Sequence, residues 1–216
     1  MLDNKGDISP LLSNIYLTPF DNEMIKRGYR LTRFADDWVM LCRTQAEAQK
    51  ALKEAKEILK ELGLTLNPEK TKIVHITWGF EFLGYKLKRG RGLKLPKEKL
   101  SKKPNAQDIY AVPTEKSIGR FMDQIRCKTK RKVPLRLKEI IEKINPIIRG
   151  WGSYYCKAHV RKVFSRLKGW IVHRLWSHQF KKWRNCGWRK YPDRVLYTHY
   201  GLINLTQLIP GLGRRS

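Results

Sequence analysis

Residues 29–42 read Tyr29-Arg30-Leu31-Thr32-Arg33-Phe34-Ala35-Asp36-Asp37-Trp38-Val39-Met40-Leu41-Cys42. Two short runs rich in apolar, aromatic and β-forming residues, 29–34 and 38–42, flank Ala35-Asp36-Asp37. That is the pattern of a β-hairpin with carboxylates at its tip. Asp favours turns on local hydrogen-bonding grounds, so two adjacent Asp in a turn mean little alone. A tight hairpin, however, holds neighbouring carboxylates at one place. Hard divalent cations such as Mg²⁺ take oxygen ligands of this kind, with water and substrate phosphates completing the shell.

Working outward, Ser9-Pro10 reads as an N-cap with Pro at the first helical position. Leu12, Ile15 and Tyr16 continue at helical spacing, and Thr18-Pro19 either kinks this helix or restarts it before Phe20 and Met24. Beyond the hairpin, Thr44-x-x-Glu47 is a capping box. It opens a helix whose stripe is Ala48, Ala51, Leu52, Ala55, Ile58, Leu59 and Leu62, stopped by Gly63. Residues 73–76 and 82–87 read as further strands. Residues 88–113 mix Gly90, Gly92, Pro96, Pro104 and Pro113 with many cations, a loop-rich stretch with room for a short hairpin around 90–95. After it the spacing is helical. Thr114 caps a helix bearing Ile118, Phe121, Met122 and Ile125. Leu137, Ile140, Ile141 and Ile144 mark a second helix, which Asn145-Pro146 is expected to end while starting a third. The longest apolar series is Val163, Phe164, Leu167, Trp170, Ile171 and Leu175. Trp151, Trp170 and Trp176 keep core-like spacing.

Charge divides the chain. Residues 1–81 hold 12 basic and 12 acidic side chains, so the whole formal charge of +27 sits on residues 82–216. From Lys143 to Pro192 there is no acid at all. Such a field calls for a polyanionic partner, nucleic acid first and anionic membrane second. No apolar run approaches the roughly 18 residues of a spanning helix, and the first residues lack a signal peptide's apolar core. A cytoplasmic protein is expected. The four cysteines, Cys42, Cys127, Cys156 and Cys186, contain no C-x-x-C pair and are expected to fill core space.

Phe34-Ala35-Asp36-Asp37, followed by Trp38-Val39-Met40, resembles the Tyr/Phe-Ala-Asp-Asp box of reverse transcriptases. Four further segments fall in that family's order. Lys5-Gly6-Asp7-Ile8-Ser9-Pro10-Leu11-Leu12-Ser13-Asn14-Ile15-Tyr16 resembles the segment before the box, and Leu64-x-Leu66-Asn67-Pro68-Glu69-Lys70-Thr71 the palm block after it. Phe80-x-Phe82-Leu83-Gly84-Tyr85 resembles the primer-gripping hairpin. Asn145-Pro146-Ile147-Ile148-Arg149-Gly150-Trp151-x-x-Tyr154-Tyr155, with Val163-Phe164 and residues 170–176, resembles the thumb/X region of group II intron maturases.

The resemblance implies an α+β chain: an incomplete reverse-transcriptase palm of helices and antiparallel strands, then an all-α thumb/maturase region. The implied divisions are a partial palm at 1–88, a basic connector at 89–113, the thumb/maturase region at 114–191 and a tail at 192–216 that packs back or extends toward RNA. Asp36 and Asp37 would be catalytic carboxylates holding Mg²⁺. Lys70 matches a lysine proposed to protonate the leaving pyrophosphate, and equally suits a surface position beside Glu69. Phe82, Leu83, Gly84 and Tyr85 would form the primer-grip-like turn. Asp7 and Asp21 are better explained by helix-start chemistry than as further metal ligands. Lys157, Arg161, Lys162, Arg166, Lys168, Arg174, Lys181, Lys182 and Arg184 are the candidate RNA contacts.

The implied partners are group II intron RNA, a DNA target and a separately encoded N-terminal reverse-transcriptase half, with no membrane. Asp3-Asn4-Lys5-Gly6 stands where family members usually show Pro-Gln-Gly-Gly, and the family's first palm strand and fingers have no counterpart in residues 1–216. The chain alone is therefore expected not to polymerise DNA, and RNA binding is the activity it should retain. A non-catalytic splicing factor, a functionless remnant of a disrupted intron reading frame and a generic basic protein are the alternatives. The last explains the charge but not the ordered motifs.

Overall fold

The computed structural model describes residues 9–89, 109–130, 132–180 and 192–211. The chain combines helices with small antiparallel sheets, an α+β architecture, and divides into two compact units, Met1–Leu83 and Gly84–Ser216.

In the first unit, α1 (Ser9–Lys26) runs through Pro19 without restarting. Leu17, Phe20 and Met24 recur on one face and are buried, and that packing outweighs the hydrogen bond the proline cannot make. The hairpin follows as β1 (Arg30–Phe34) and β2 (Asp37–Leu41), paired antiparallel with Leu31 opposite Met40 and Arg33 opposite Trp38. Helix α2 (Gln45–Glu61) starts as its capping residues require: the Glu47 amide donates to Thr44 Oγ1 at 3.1 Å, and the Glu47 carboxylate accepts from the Arg43 amide at 2.7 Å. It ends in a Schellman turn, with the Leu64 amide donating to the Leu59 carbonyl at 2.8 Å and Gly63 at φ +71°. Ala55, Ile58 and Leu59 close the small core with Leu17, Phe20 and Met24; Trp38 packs against it, its ring 5.7 Å from that of Phe20.

Residues 73–76 are not a strand; the chain there is irregular, with Ile73 and Val74 exposed. A β-branched run becomes a strand only when a ladder receives it, and β-propensity is largely the fit to such a surface. Nor is 82–87 one strand. It breaks at Leu83-Gly84, both at positive φ (+49° and +75°), into β3 (Phe80–Phe82) and β4 (Tyr85–Arg89). Positive φ at both turn positions is the type I′ geometry of two-residue hairpins.

In the second unit β4 pairs antiparallel with β5 (Ile109–Pro113), Leu87 opposite Ala111. The proposed turn at 90–95 lies outside the described residues. From Thr114 onward the described elements are helical: α3 (Glu115–Lys128), α4 (Leu137–Tyr155), α5 (Arg161–Phe180), α6 (Asp193–Thr198) and a 3₁₀ turn (Leu205–Leu208). Asn145-Pro146 does not divide α4. Ile140, Ile141, Ile144, Ile148 and Tyr155 are all buried, so one apolar stripe passes across the proline and holds the helix continuous.

Asn145 serves instead as a clasp for the tail. Its Nδ2 donates to the Gly201 carbonyl at 2.9 Å, and its Oδ1 accepts from the Ile203 amide at 3.0 Å. Leu196, Leu202 and Leu205 are buried in the same core as α3, α4 and α5, so residues 192–211 pack back on the helices. Asn145→Ala is expected to cost about 1–2 kcal/mol, since the half-buried Ile203 amide loses its acceptor while the exposed Gly201 carbonyl can turn to water. Hydrogen exchange at the Leu202 and Ile203 amides should accelerate well before that of Ile144.

Two sequence expectations about side chains need amending. Trp176 is buried, but Trp151 and Trp170 are half-buried at the edge of the core. Of the described cysteines, Cys127 is exposed and Cys42 and Cys156 are intermediate, so none is a core filler. Among the described residues no helix is long and apolar enough to cross a membrane.

Candidate functional sites: a carboxylate hairpin and a basic helix

Ala35 and Asp36 form the turn between β1 and β2, with Phe34 opposite Asp37. Ala35 sits at φ +53° and Asp36 does not share the positive sign. Positive φ at only the first turn position is the type II′ pattern, usually given to glycine. An L-residue there is held against its preference, and the holder is visible. Arg33 Nη1 donates to the Ala35 carbonyl at 2.8 Å and to Asn14 Oδ1 at 3.0 Å. Its Nε reaches Asp21 Oδ1 and Oδ2 at 2.8 and 3.0 Å, and Nη2 completes the fork on Asp21. The Arg33 side chain is only 8% exposed. Hydrogen bonding to Asp21 raises its already high pKa, with burial opposing.

Asp21 therefore is not explained by a helix start. It lies in the second half of α1, and its carboxylate is committed to Arg33. That pairing also leaves it unsuited to a metal.

Asp36 and Asp37 are both exposed, and neither carboxylate has a hydrogen-bond or ion-pair partner among the described residues. Two adjacent, uncompensated carboxylates on a held turn fit a hard divalent cation, which is commonly bound through one or two carboxylates with water and phosphate oxygens. No third Asp, Glu, His or Cys gathers with them among the described residues. Lys70 is exposed in a turn organised by Asn67, whose Oδ1 accepts from the Glu69 and Lys70 amides at 2.9 and 3.3 Å. No ion pair joins Lys70 to Asp36 or Asp37.

In the second unit, the Gly84 carbonyl accepts from the Thr114 amide at 2.9 Å and from Tyr155 Oη at 3.2 Å. Tyr155 Oη also meets Ser117 Oγ at 2.8 Å, and Ser117 Oγ accepts from Trp151 Nε1 at 3.1 Å. Donor and acceptor capacities then give one direction: indole to serine, serine to tyrosine, tyrosine to the Gly84 carbonyl. Tyr85 adds a bond from its hydroxyl to the Tyr154 carbonyl and ring contacts at 5.3 and 4.8 Å to Tyr154 and Tyr155. Burial first, and then those two neighbours, push the Tyr85 hydroxyl up to about 12.

The cations of α5 differ from one another. Arg161, Lys162 and Arg166 are exposed, opposite the buried stripe of Phe164, Leu167, Ile171 and Leu175. Lys157, just before the helix, is exposed too. Lys168 and Arg174 are engaged within the protein. Lys168 pairs with Asp193 at 3.7 Å and lies 5.2 Å from the centre of the Tyr197 ring. Arg174 Nε donates to Thr129 Oγ1 at 2.8 Å, and its guanidinium stacks 5.5 Å from the Trp170 ring. Lys181, Lys182 and Arg184 lie outside the described residues. The first turn of α5 carries Arg161 and Lys162 and no acid. Cations are the wrong charge for a helix N-terminus, and a local conflict of this kind is what a functional surface tolerates.

Residues 6–87 match the family model for reverse transcriptase (RNA-dependent DNA polymerase), and residues 118–196 match the group II intron, maturase-specific domain. The chain belongs to the group II intron reverse transcriptase/maturase family. The two matches, in series, cover well over half of its length. Among curated proteins, protein YkfC of Escherichia coli (strain K12) is 35% identical over 121 residues, covering 40% of this chain and 32% of that protein. An uncharacterized 91 kDa protein in a cob intron of Schizosaccharomyces pombe is 24% identical over 149 residues, 65% of this chain and 18% of that protein. The chain thus spans about a third or less of the relatives it matches. Within this maturase family segment, Asp36 and Asp37 fall inside the reverse-transcriptase match, and α5 falls inside the maturase-specific match. Sequence reading missed Arg33 and Asn14, because their importance lies in contacts between α1 and a turn that periodicity does not encode.

Proposed function

We propose that the chain supplies two parts of an intron-encoded reverse transcriptase/maturase: a two-carboxylate portion of the polymerase metal site, and an intron-RNA-binding face on the second unit. The reading rests on one observation: a reverse-transcriptase segment carrying Asp36 and Asp37 precedes a maturase-specific segment whose basic helix presents Arg161, Lys162 and Arg166 exposed and without an acidic partner among the described residues. When bound, Mg²⁺ would activate the primer's 3′-oxygen and stabilise the leaving pyrophosphate. Asp36 and Asp37 would hold it, and Arg33 would keep their turn in place. Residues 1–88 would be a partial palm and 114–191 the thumb/maturase region. In support, most of the exposed large apolar side chains among the described residues lie in the first unit, including Leu11, Leu12, Ile15, Phe34 and Trp78. Large apolar side chains left exposed in one unit are what a contact face would use. Phe82, Leu83, Gly84 and Tyr85 would grip the primer end, and Lys70 would stand near the leaving group.

Two carboxylates do not by themselves complete a two-metal site. The chain alone should show no primer extension with Mg²⁺ on an RNA template, yet bind structured intron RNA. Extension above background that Asp36→Ala abolishes would mean that another residue of this chain completes the site. RNA binding no tighter than that of an unrelated basic protein would reject the maturase reading.

A further inference from the structure

We propose that Arg33 is a positioning residue for the carboxylate hairpin, a clamp that holds the Ala35 turn to α1 and so preorganises Asp36 and Asp37. The inference rests on reading those two carboxylates as a cation site. Its physical basis is independent of that reading.

Three observations converge. First, Ala35 is a non-glycine residue at φ +53°, a conformation that side chains resist. Second, the carbonyl of that same residue accepts from Arg33 Nη1 at 2.8 Å. Third, the guanidinium is anchored on its other edges by Asn14 and by both oxygens of Asp21, all on one helix. A planar, five-donor fork can meet these acceptors together; a lysine ammonium cannot match that geometry. The Arg33 side chain is nearly buried, so solvent screens the network weakly. Neither the Asp36 nor the Asp37 carboxylate has a partner among the described residues, so the hairpin backbone is what fixes them. Groups that orient a metal ligand without touching the metal typically change its affinity 10- to 100-fold.

The test uses the full chain, isotopically labelled. A strong intraresidue amide–α-proton NOE at Ala35 reports the positive φ. Paramagnetic broadening of the Asp36 and Asp37 amides during titration with Mn²⁺ reports the cation site. Arg33→Lys should remove the strong NOE and weaken Mn²⁺ binding about tenfold. Asp21→Asn should act in the same direction. Asn14→Ala, which deletes one anchor and keeps the ion pair, is the milder variant should Arg33→Lys not fold. Glu23→Gln, which breaks the separate Arg27–Glu23 pair on the same helix, should change neither signal.

Glycine enters positive φ freely. Ala35→Gly should therefore restore Mn²⁺ affinity to the Arg33→Lys protein, a rescue that a purely structural arginine would not show. A folded Arg33→Lys or Asn14→Ala protein with wild-type NOE and wild-type Mn²⁺ affinity would overturn the clamp. Absence of Mn²⁺ broadening in the wild type would reject the cation site, while the Ala35 NOE would still decide whether Arg33 holds the turn.

Discussion

Reversing Arg161, Lys162 and Arg166 to glutamate together should lower the affinity of the chain for structured RNA by about fifty-fold or more at ~0.15 M salt. Each phosphate neutralised on RNA releases roughly 0.7–0.9 of a counterion. Three lost contacts should therefore flatten the log–log salt dependence by about two units, and the affinity loss should be larger at low salt. The fold should survive. These side chains are exposed and face away from Phe164, Leu167, Ile171 and Leu175, and removing cations from the first turn of α5 relieves an unfavourable helix-dipole interaction. Filter binding across a salt series, with circular dichroism as the folding check, separates the outcomes. Reversal at Lys50, Lys53 and Lys60 on α2 should do much less, because Glu54, Glu57 and Glu61 share that helix, and Lys50 already faces Glu54 at 3.8 Å. Equal losses from both sets would mean that RNA senses only net charge. Arg174 and Lys168 should behave differently again. Their heads are committed to Thr129 and Asp193, so substituting them should lower stability more than it changes the salt slope.

What could be read in advance follows from how far each interaction reaches along the chain. The β1–β2 hairpin and α2 were legible because their determinants are local: alternation on either side of a turn, and a Thr44-x-x-Glu47 cap closing within one helical turn. Asp36 and Asp37 were legible for the same reason, sitting at the tip of that hairpin. Proline signals misled where a tertiary surface overrode them. Pro19 and Pro146 are both inside helices because the residues after and around them must reach a core, Phe20 and Met24 that of the first unit and Ile144 and Ile148 that of the second. The strand at Ile109–Pro113 was hidden by the basic, Pro-containing stretch around it; its partner β4 overlaps the strand expected at 82–87, but their pairing is not encoded locally. Among the sites, charge counting treated all cations of α5 alike. It could not see that Lys168 and Arg174 spend their charge on Asp193, Tyr197, Thr129 and Trp170. Arg33 and Asp21, 12 residues apart, were invisible for the same reason: their partnership is fixed by packing of α1 on the hairpin.

Gly84→Ala should be strongly damaging, and Gly63→Ala is the control that shows why. Both residues have nearly the same backbone, φ +75° and +71°, so both variants carry the penalty of an L-residue at positive φ, about 1–2 kcal/mol. Around Gly63 nothing lies within 4 Å of an added Cβ, and the effect should stop there. At Gly84 the new carbon would stand 2.5 Å from Tyr155 Oη. That hydroxyl cannot simply swing away: it belongs to a buried ring and is held between Ser117 Oγ at 2.8 Å and the Gly84 carbonyl at 3.2 Å. Relieving the clash either strains the core or breaks the relay from Trp151, adding about 1–3 kcal/mol. The expected total for Gly84→Ala is thus about 2–5 kcal/mol against roughly 1–2 for Gly63→Ala. Because the chain has two units, one melting temperature would blend them; hydrogen exchange at Ile140 and Ile144 reports the second unit, and at Ala55 and Ile58 the first. Tyr155→Phe removes the oxygen that the new methyl meets. In that background Gly84→Ala should fall to nearly the Gly63 value, a coupling of about 1–3 kcal/mol between the two positions. Additive losses would mean that the Gly84 turn is held by something other than the tyrosine relay.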